Sequence, residues 1–500
     1  MGLYAILAKP YARYISKRIA KNSLKAVHLQ QLELFKLIAN AFNTQFGRDH
    51  SFASINDYES FKQQVPIRDY EQLKPYIDKI LKGESNVLWK GKPIYLSTTS
   101  GTTSGTKYIP ITKESMPNHI NTAKYALLCY IARSGNAAFA DGKMIFLSGS
   151  PVLEKVGGIL KGRLSGIVNH HIPNFLRRNQ MPSYETNCID DWEEKVAKIA
   201  EETVNKDMRL ISGIPPWVQM YFDKLIENTG KKIKDIFPNF SLFVHGGVNF
   251  EPYRAKLEAS IGKKVDTVET YPASEGFIAY QDRFDEEGLL LNITAGIFFE
   301  FVPADEIFDD KPSRLHLGEV ELQKNYAIIL NTNAGLWGYN IGDTVKFVSL
   351  NPYRIIVTGR TKHFISAFGE HVIAEEVERA ILDIAKKEAI EIIEFTVIPQ
   401  VNPAKGLPYH EWFVEFEKEP KDLNSFALKV DSCLQKMNSY YADLIEGKVL
   451  KPLEIRIMQK NALIELMKSK GKLGGQNKVP RLSNNRDIAS EFEALNLIEK

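Results

Sequence analysis

Between Ser97 and Thr112 the chain reads STTSGTTSGTKYIPIT, a turn of hydroxyls and glycines with strand-like sequence on either side. Pro93 to Ser97 (PIYLS) and Lys107 to Ile111 (KYIPI) read as two strands, so this segment is a long turn between strands and does not feed a helix. Gly101 and Gly105 let the backbone approach a polyanion and turn its N–H groups inward. Thr99, Ser100, Thr102, Thr103 and Ser104 add hydroxyl donors, and Lys107 adds charge. Such a turn is built to hold phosphates. The G-x-x-x-x-G-K-[ST] motif does not fit, because Gly105, Thr106, Lys107 and Tyr108 break both its glycine spacing and its magnesium-binding hydroxyl. A flexible Gly/Ser linker has no reason to lie between apolar runs or to end in lysine.

Two further segments join this loop: VETYPASEGF from Val268 to Phe277, and GYNIGDTVK from Gly338 to Lys346, followed from Val357 by VTGRTKHFISAFGE. Near the end stands Gln476-Asn477-Lys478-Val479-Pro480-Arg481. In this order the four segments resemble the adenylate-forming superfamily, and most closely its acyl acid amido synthetase branch, which comprises the plant auxin- and jasmonate-conjugating enzymes and their bacterial relatives. VPIRDYEQLKPYIDKILKGE (Val65 to Glu84) and HGGVNFEPYR (His245 to Arg254) also look like the bacterial members, so the resemblance covers nearly the whole chain.

The resemblance implies an ATP-dependent ligase that joins a small-molecule carboxylic acid, through an acyl-adenylate, to an amine such as an amino acid. It implies that residues 99–105 and Lys107 hold the phosphates and that Glu275 ligates Mg²⁺. Tyr271 and Ser274 line the adenine and α-phosphate side, Asp343 takes the ribose hydroxyls, Arg360 lies near the ribose, and Lys478 bridges the α-phosphate and the attacking carboxylate. Taken singly, Glu275, Asp343 and Lys478 are ordinary loop or surface residues; their order and combination carry the functional reading. His245 and the glycines after it either bound the acyl pocket or end a strand. Pro272 and Asn340 stand where relatives often have Ala or Ser and Arg, and Arg360 or Lys362 is expected to supply the cation that Asn340 lacks. An acyl-CoA ligase of the same superfamily and a catalytically inactive nucleotide-binding protein are the alternatives.

Composition agrees with a large enzyme, since hydrophobic residues at 44% and charged residues at 25% are ordinary globular values. With 64 basic against 61 acidic side chains, nothing calls for nucleic acid. Cys129, Cys188 and Cys433 are odd in number and far apart, which argues against a disulfide framework and fits a reducing, cytoplasmic setting. The adjacent His170 and His171 have no spaced Cys/His partners and do not read as a zinc site. The basic stretch from Met1 to Asn22 is interrupted by Lys9 and Pro10, short of a signal-peptide core; we expect a helix packed on the domain and no stable membrane insertion. A monomer or weak homodimer is expected.

The expected fold is α/β: a large nucleotide- and acyl-binding domain over residues 1–361, with sheets covered by helices, and a smaller mobile α+β domain over 362–500. Ser23 should cap a helix with Leu24, Val27, Leu34, Ile38 and Phe42 on its apolar face. Strands are expected at MIFLSG, MRLISG, FSLFVHGG, KVDTVETY, FFEFVP, GEVELQ and YAIILNT. Beyond Ile355 the pattern predicts a strand, a helix over Ala374 to Glu388, strands over Ile390 to Pro399 and Tyr409 to Phe416, a helix over Asp422 to Leu444, a strand over Pro452 to Met458 and a helix toward Lys470. The boundary is expected near Thr361 and Lys362, where the superfamily has its hinge.

Overall fold

The computed structural model describes residues 3–100, 106–172, 177–361, 370, 372–446, 449–473, 479–483 and 485–499. The chain divides into two compact units, residues 1–248 with 260–357, and residues 249–259 with 358–500. Both are mixed α/β.

The first unit is organised by a long mixed sheet. Gln180–Met181, Lys143–Phe146, Met208–Ser212, Leu242–Gly246 and Asp266–Ala273 lie side by side in parallel. From Asp266–Ala273 onward the sheet turns antiparallel through Gly276–Tyr280, Leu289–Leu291 and Tyr353–Arg360. It continues through Tyr339–Leu350, Asn325–Thr332 and Ile297–Pro303. Ile297–Pro303 is buried at every position, and its Ile297, Phe298, Phe299 and Phe301 join Leu34, Leu37 and Ile38 of the helix Ala26–Ala41 in the unit's main apolar cluster. Each fully buried Phe there contributes about 1.5–3 kcal/mol. A second sheet orders Thr106–Ile111, Tyr95–Ser100, Ile159–Gly162 and Glu154–Val156. The expected hairpin is present: Tyr95–Ser100 pairs antiparallel with Thr106–Ile111, with Thr99 opposite Lys107.

Helix boundaries follow local chemistry. Asp69 accepts from Gln72 N and Gln72 reciprocates, starting the helix Tyr70–Leu81. Gly135, at φ +67°, ends the helix Met116–Ser134. The expected cap at Ser23 is wrong. Ser23 closes the preceding helix Leu3–Ser23, its hydroxyl donating back to Ile19 O at 3.0 Å, and the next helix runs Ala26–Ala41. Leu24 and Phe42, placed on the inner face, are exposed, while Leu34 and Ile38 are buried. The helix Leu3–Ser23 packs on the domain as expected, burying Ala12 and Ile15 against Met116–Ser134. GEVELQ forms no strand, its Leu322 making only an isolated bridge to Phe347.

The second unit has the sheet Glu391–Gln400, Tyr409–Lys418, Glu454–Ile457, the first two antiparallel and the last parallel. Ala374–Glu388 and Leu423–Met437 bury Val377, Ile381, Phe426, Val430 and Leu434 in one cluster. The helix expected to run to Leu444 is two helices, because Asn438 is extended (φ −123°, ψ 105°) and its side-chain oxygen accepts from Tyr441 N at 2.8 Å, starting Ser439–Glu446. Among the described residues no helix is long and apolar enough to cross a membrane.

Candidate active site

The first unit draws together most of the described candidate residues around one tight turn, the paired strands of the hydroxyl-rich hairpin and one bulge. Strands Asp266–Ala273 and Gly276–Tyr280 pair with Ala273 opposite Gly276, so Ser274 and Glu275 occupy the tight turn between them. The turn is held from behind. Asn118, on the helix Met116–Ser134, accepts from Phe277 N at 2.6 Å and donates to Ala295 O at 3.1 Å. One turn along, Thr122 accepts from Asn292, whose amide also donates to Phe277 O. Residues four apart share a helix face, so a single face clamps the strand that follows Glu275.

Ser274 is tied to the base of the glycine-rich hairpin, with 3.0 Å between the Ser97 and Ser274 hydroxyls. Lys107 directs its ammonium over the Tyr70 ring, 5.5 Å from the centroid, and Tyr70 Oη accepts from Tyr108 N at 2.9 Å. Burial pushes the Tyr70 phenol above its ordinary value.

Asp343 sits at a bulge. In the pairing of Asn325–Thr332 with Tyr339–Leu350 the register slips between Ala327, opposite Thr344, and Ile329, opposite Asn340. Gly342 has φ +88°, and its N–H donates to Asn340 Oδ1 at 2.8 Å. Asn340 thus braces the bulge that presents Asp343, a structural duty for the residue read only as a missing cation. Tyr271 donates to Asp343 Oδ2 at 2.6 Å, and Tyr339 Oη lies 3.5 Å from Glu275 Oε1. The two tyrosines connect the motif strands to both carboxylates.

His245 is the penultimate residue of the strand Leu242–Gly246, before Gly246, where an added Cβ would fall 2.1 Å from Thr270 O. That close approach explains the first glycine of the HGG run. Arg360 ends its strand and belongs to the second unit. Gly101, Thr102, Thr103, Ser104, Gly105, Lys362 and Lys478 lie outside the described residues, as does the side chain of Ser100.

The segment after Lys478 is described, and it is anchored. Val397 N donates to Arg481 O at 3.0 Å, Ser483 N to Val397 O at 3.1 Å, and Thr396 Oγ1 to Pro480 O at 2.7 Å. The Arg481 guanidinium lies 3.0 Å from Glu378 and 2.6 Å from Glu394, over the Phe395 ring. Asn249 donates to Glu378, and Tyr253 to Glu394. Burial alone would lower the Arg481 pKa; the carboxylates and Tyr253 outweigh it and raise it. The sequence reading gave Arg481, Tyr339, Ser97 and Asn118 no role. Arg481, Tyr339 and Ser97 already stood inside quoted motifs, whereas Asn118 carried no local signal.

Among the described residues no three His, Cys, Asp or Glu side chains form a metal-holding group. The donor set still fits Mg²⁺, which is commonly bound by one or two carboxylates together with substrate phosphates, and the half-buried Glu275 beside a hydroxyl-rich hairpin supplies that carboxylate.

The architecture is that of the adenylate-forming enzymes. The solved GH3.15 acyl acid amido synthetase matches at a TM-score of 0.78 and 17% identity, over 96% of this chain and 95% of that one. A 2-hydroxyisobutyryl-CoA ligase in its postadenylation state matches at 0.58 and 12% identity, over 95% and 91%. Within that class the chain belongs to the GH3 family: the family's N-terminal domain matches residues 15–188 and 164–265, its central domain 290–360 and its C-terminal domain 375–487. A jasmonoyl–L-amino acid synthetase of Nicotiana attenuata is 23% identical over 91% of this chain and 90% of its own.

Proposed function

We propose that this GH3-family chain is an ATP-dependent acyl acid amido synthetase. A carboxylate oxygen of the acid attacks the α-phosphorus of ATP, the bond to the β-phosphate breaks, and pyrophosphate leaves. The nitrogen of an amino acid then attacks the acyl carbonyl, expels AMP and loses a proton, leaving an amide. The observation that carries this reading is the Ser274–Glu275 turn joined to the hydroxyl-rich hairpin through Ser97, with Asp343 on its bulge bonded to Tyr271.

Each residue has a physical task. Residues 99–105 and Lys107 hold the β- and γ-phosphates with donors and charge. Glu275 would hold Mg²⁺, which neutralises phosphate charge when bound. Ser274 and Tyr271 line the adenine and α-phosphate side. Asp343 accepts from the ribose hydroxyls, a task that suits a carboxylate with several lone pairs, while Tyr271 fixes its orientation. Arg360 lies toward the ribose. Lys478 meets the carboxylate and the α-phosphorus where charge concentrates in the transition state, and Arg481 holds the stem from which it reaches. The working domains are residues 1–361 and a mobile 362–500, rotating about Thr361 and Lys362. The enzyme acts in the cytoplasm as a monomer or weak homodimer, on small-molecule substrates and without nucleic acid.

The test is exchange of labelled pyrophosphate into ATP across a panel of carboxylic acids with Mg²⁺, then mass analysis of products formed with mixed amino acids and with CoA. Acid-dependent exchange and an amide product are expected. ADP and phosphate as products, or exchange indifferent to acid, sink the adenylation step. A dominant CoA thioester transfers the chain to the acyl-CoA ligases.

A further inference from the structure

Twenty large apolar side chains are exposed among the described residues, and seven of them fall between Leu7 and Phe42. Spread evenly along the chain, about one or two of the twenty would fall there. The same stretch is electrically one-sided. Lys9, Arg13, Lys17, Arg18, Lys21 and Lys25 precede the first acidic residue, Glu33, in a chain whose total charge nearly cancels.

The helix Leu3–Ser23 arranges these groups in space. Ala8, Ala12, Ile15 and Ile19 face the core and pack on Met116–Ser134. Leu7, Tyr11, Tyr14, Arg18 and Lys21 recur at four- and three-residue steps and form one stripe, in which Leu7 is 60% and Tyr14 62% exposed. Arg13, Lys17 and Lys25 are also exposed. The next helix, Ala26–Ala41, adds exposed Leu32 and Phe35. Leu and Tyr in a stripe edged by Lys and Arg make the pattern of a helix lying in a membrane interface, the tyrosines keeping their hydroxyls wet. A second copy of the chain is a poor occupant, because two faces carrying the same uncompensated positive charge repel.

We infer that this face docks reversibly on an anionic lipid bilayer, with Leu7, Tyr11 and Tyr14 entering the headgroup boundary and the lysines meeting the surface charge. The inference is independent of the ligase chemistry.

The experiment is co-sedimentation of the full chain with vesicles of phosphatidylcholine alone and of equimolar phosphatidylcholine and phosphatidylglycerol, at low and high salt. Binding is expected only to the anionic vesicles, and it should weaken with salt. Each basic residue near such a surface is worth about fivefold in partitioning, so Lys17→Gln/Lys21→Gln/Lys25→Gln lowers it about 100-fold. Tyr11→Ser/Tyr14→Ser removes two of the three inserting side chains and lowers the binding that survives high salt. All five positions are exposed, so both variants should keep wild-type thermal unfolding. Equal binding to both vesicle types, no binding to either, or wild-type partitioning by both variants overturns the inference. So does loss of self-association or of an acidic protein partner in the variants with vesicle binding intact.

Discussion

The two units solve opposite problems. In the first, beside its hairpins, several strands that touch are distant in sequence: Tyr95–Ser100 pairs with Ile159–Gly162, and Lys143–Phe146 lies beside Met208–Ser212. In the second, the main pair is Glu391–Gln400 with Tyr409–Lys418, joined by a short connection. Long-range pairing lets the first unit draw Ser97, Tyr271, Glu275 and Asp343 into one site, at the cost of slow loop closure in folding. The second unit also joins groups distant in sequence, and its buried ion-pair network around Arg481, Glu378 and Glu394 holds the segment after Lys478. If that contrast is right, damage to the second unit's network shows as lost stability, and damage to its lysine shows as lost rate.

The largest effect should come from Arg481→Met. It removes the cation between Glu378 and Glu394, two carboxylates with little exposure, and leaves both buried without it. Breaking such a pair from one side costs about 3–5 kcal/mol. Denaturant unfolding should therefore show the second unit melting early while the first keeps its midpoint; a single unshifted transition would break the comparison.

Next comes Lys478→Ala. Loss of one preorganised donor at a transition state costs about 2.7–4 kcal/mol, or 10²–10³ in rate. Adenylate formation should fall by that factor with ATP binding nearly unchanged and stability intact, since the proposed role is confined to the transition state. Wild-type exchange in the variant would remove the lysine's assignment and make Lys472 the next candidate.

A third test concerns the first unit alone. His119 is buried and burial pushes its pKa down to about 4, from an ordinary value of 6.5. Its folded pKa is depressed, so the stabilisation of the neutral ring is complete above 6.5. It is lost as pH falls toward 4, because the unfolded chain takes up the proton that the fold refuses. The loss amounts to about 3 kcal/mol over that window. His119→Gln should flatten the acid limb of the first unit's stability profile; an unchanged limb would assign the acid sensitivity elsewhere.

The same contrast explains what could be read from the chain. Helices such as Ala374–Glu388 were legible to the residue, because apolar spacing and flanking turns are local signals. The two strands flanking the glycine-rich segment were legible for the same reason. Sheet order was not, since no local pattern says that Met208–Ser212 lies between Lys143–Phe146 and Leu242–Gly246. Ser23 looked like a cap because serine favours that position, yet its hydroxyl bonds back into the preceding helix. GEVELQ alternates like a strand but pairs only through the single bridge from Leu322 to Phe347. In the site, motifs named Glu275 and Asp343 but not what steadies them, because Asn118 and Ser97 act across the fold.

The smallest predicted effect tests that steadying. Asn118→Ala leaves Phe277 N and Ala295 O without their side-chain partner inside the first unit. A buried donor stripped of its acceptor costs about 1–3 kcal/mol, less than the Arg481 network because no full charge is stranded. The strand after Glu275 then loses one of its two ties to the helix Met116–Ser134, while Asn292 keeps the other through Thr122. Stability of the first unit should drop by that amount, and the Mg²⁺ concentration at half-maximal pyrophosphate exchange should rise because the Glu275 turn is less well held. Asn118→Asp retains the acceptor for Phe277 N and should recover most of the stability. If Asn118→Ala lowers stability yet leaves the Mg²⁺ dependence where it was, the helix supports the fold without positioning Glu275, and the first unit gathers its site through the sheet alone.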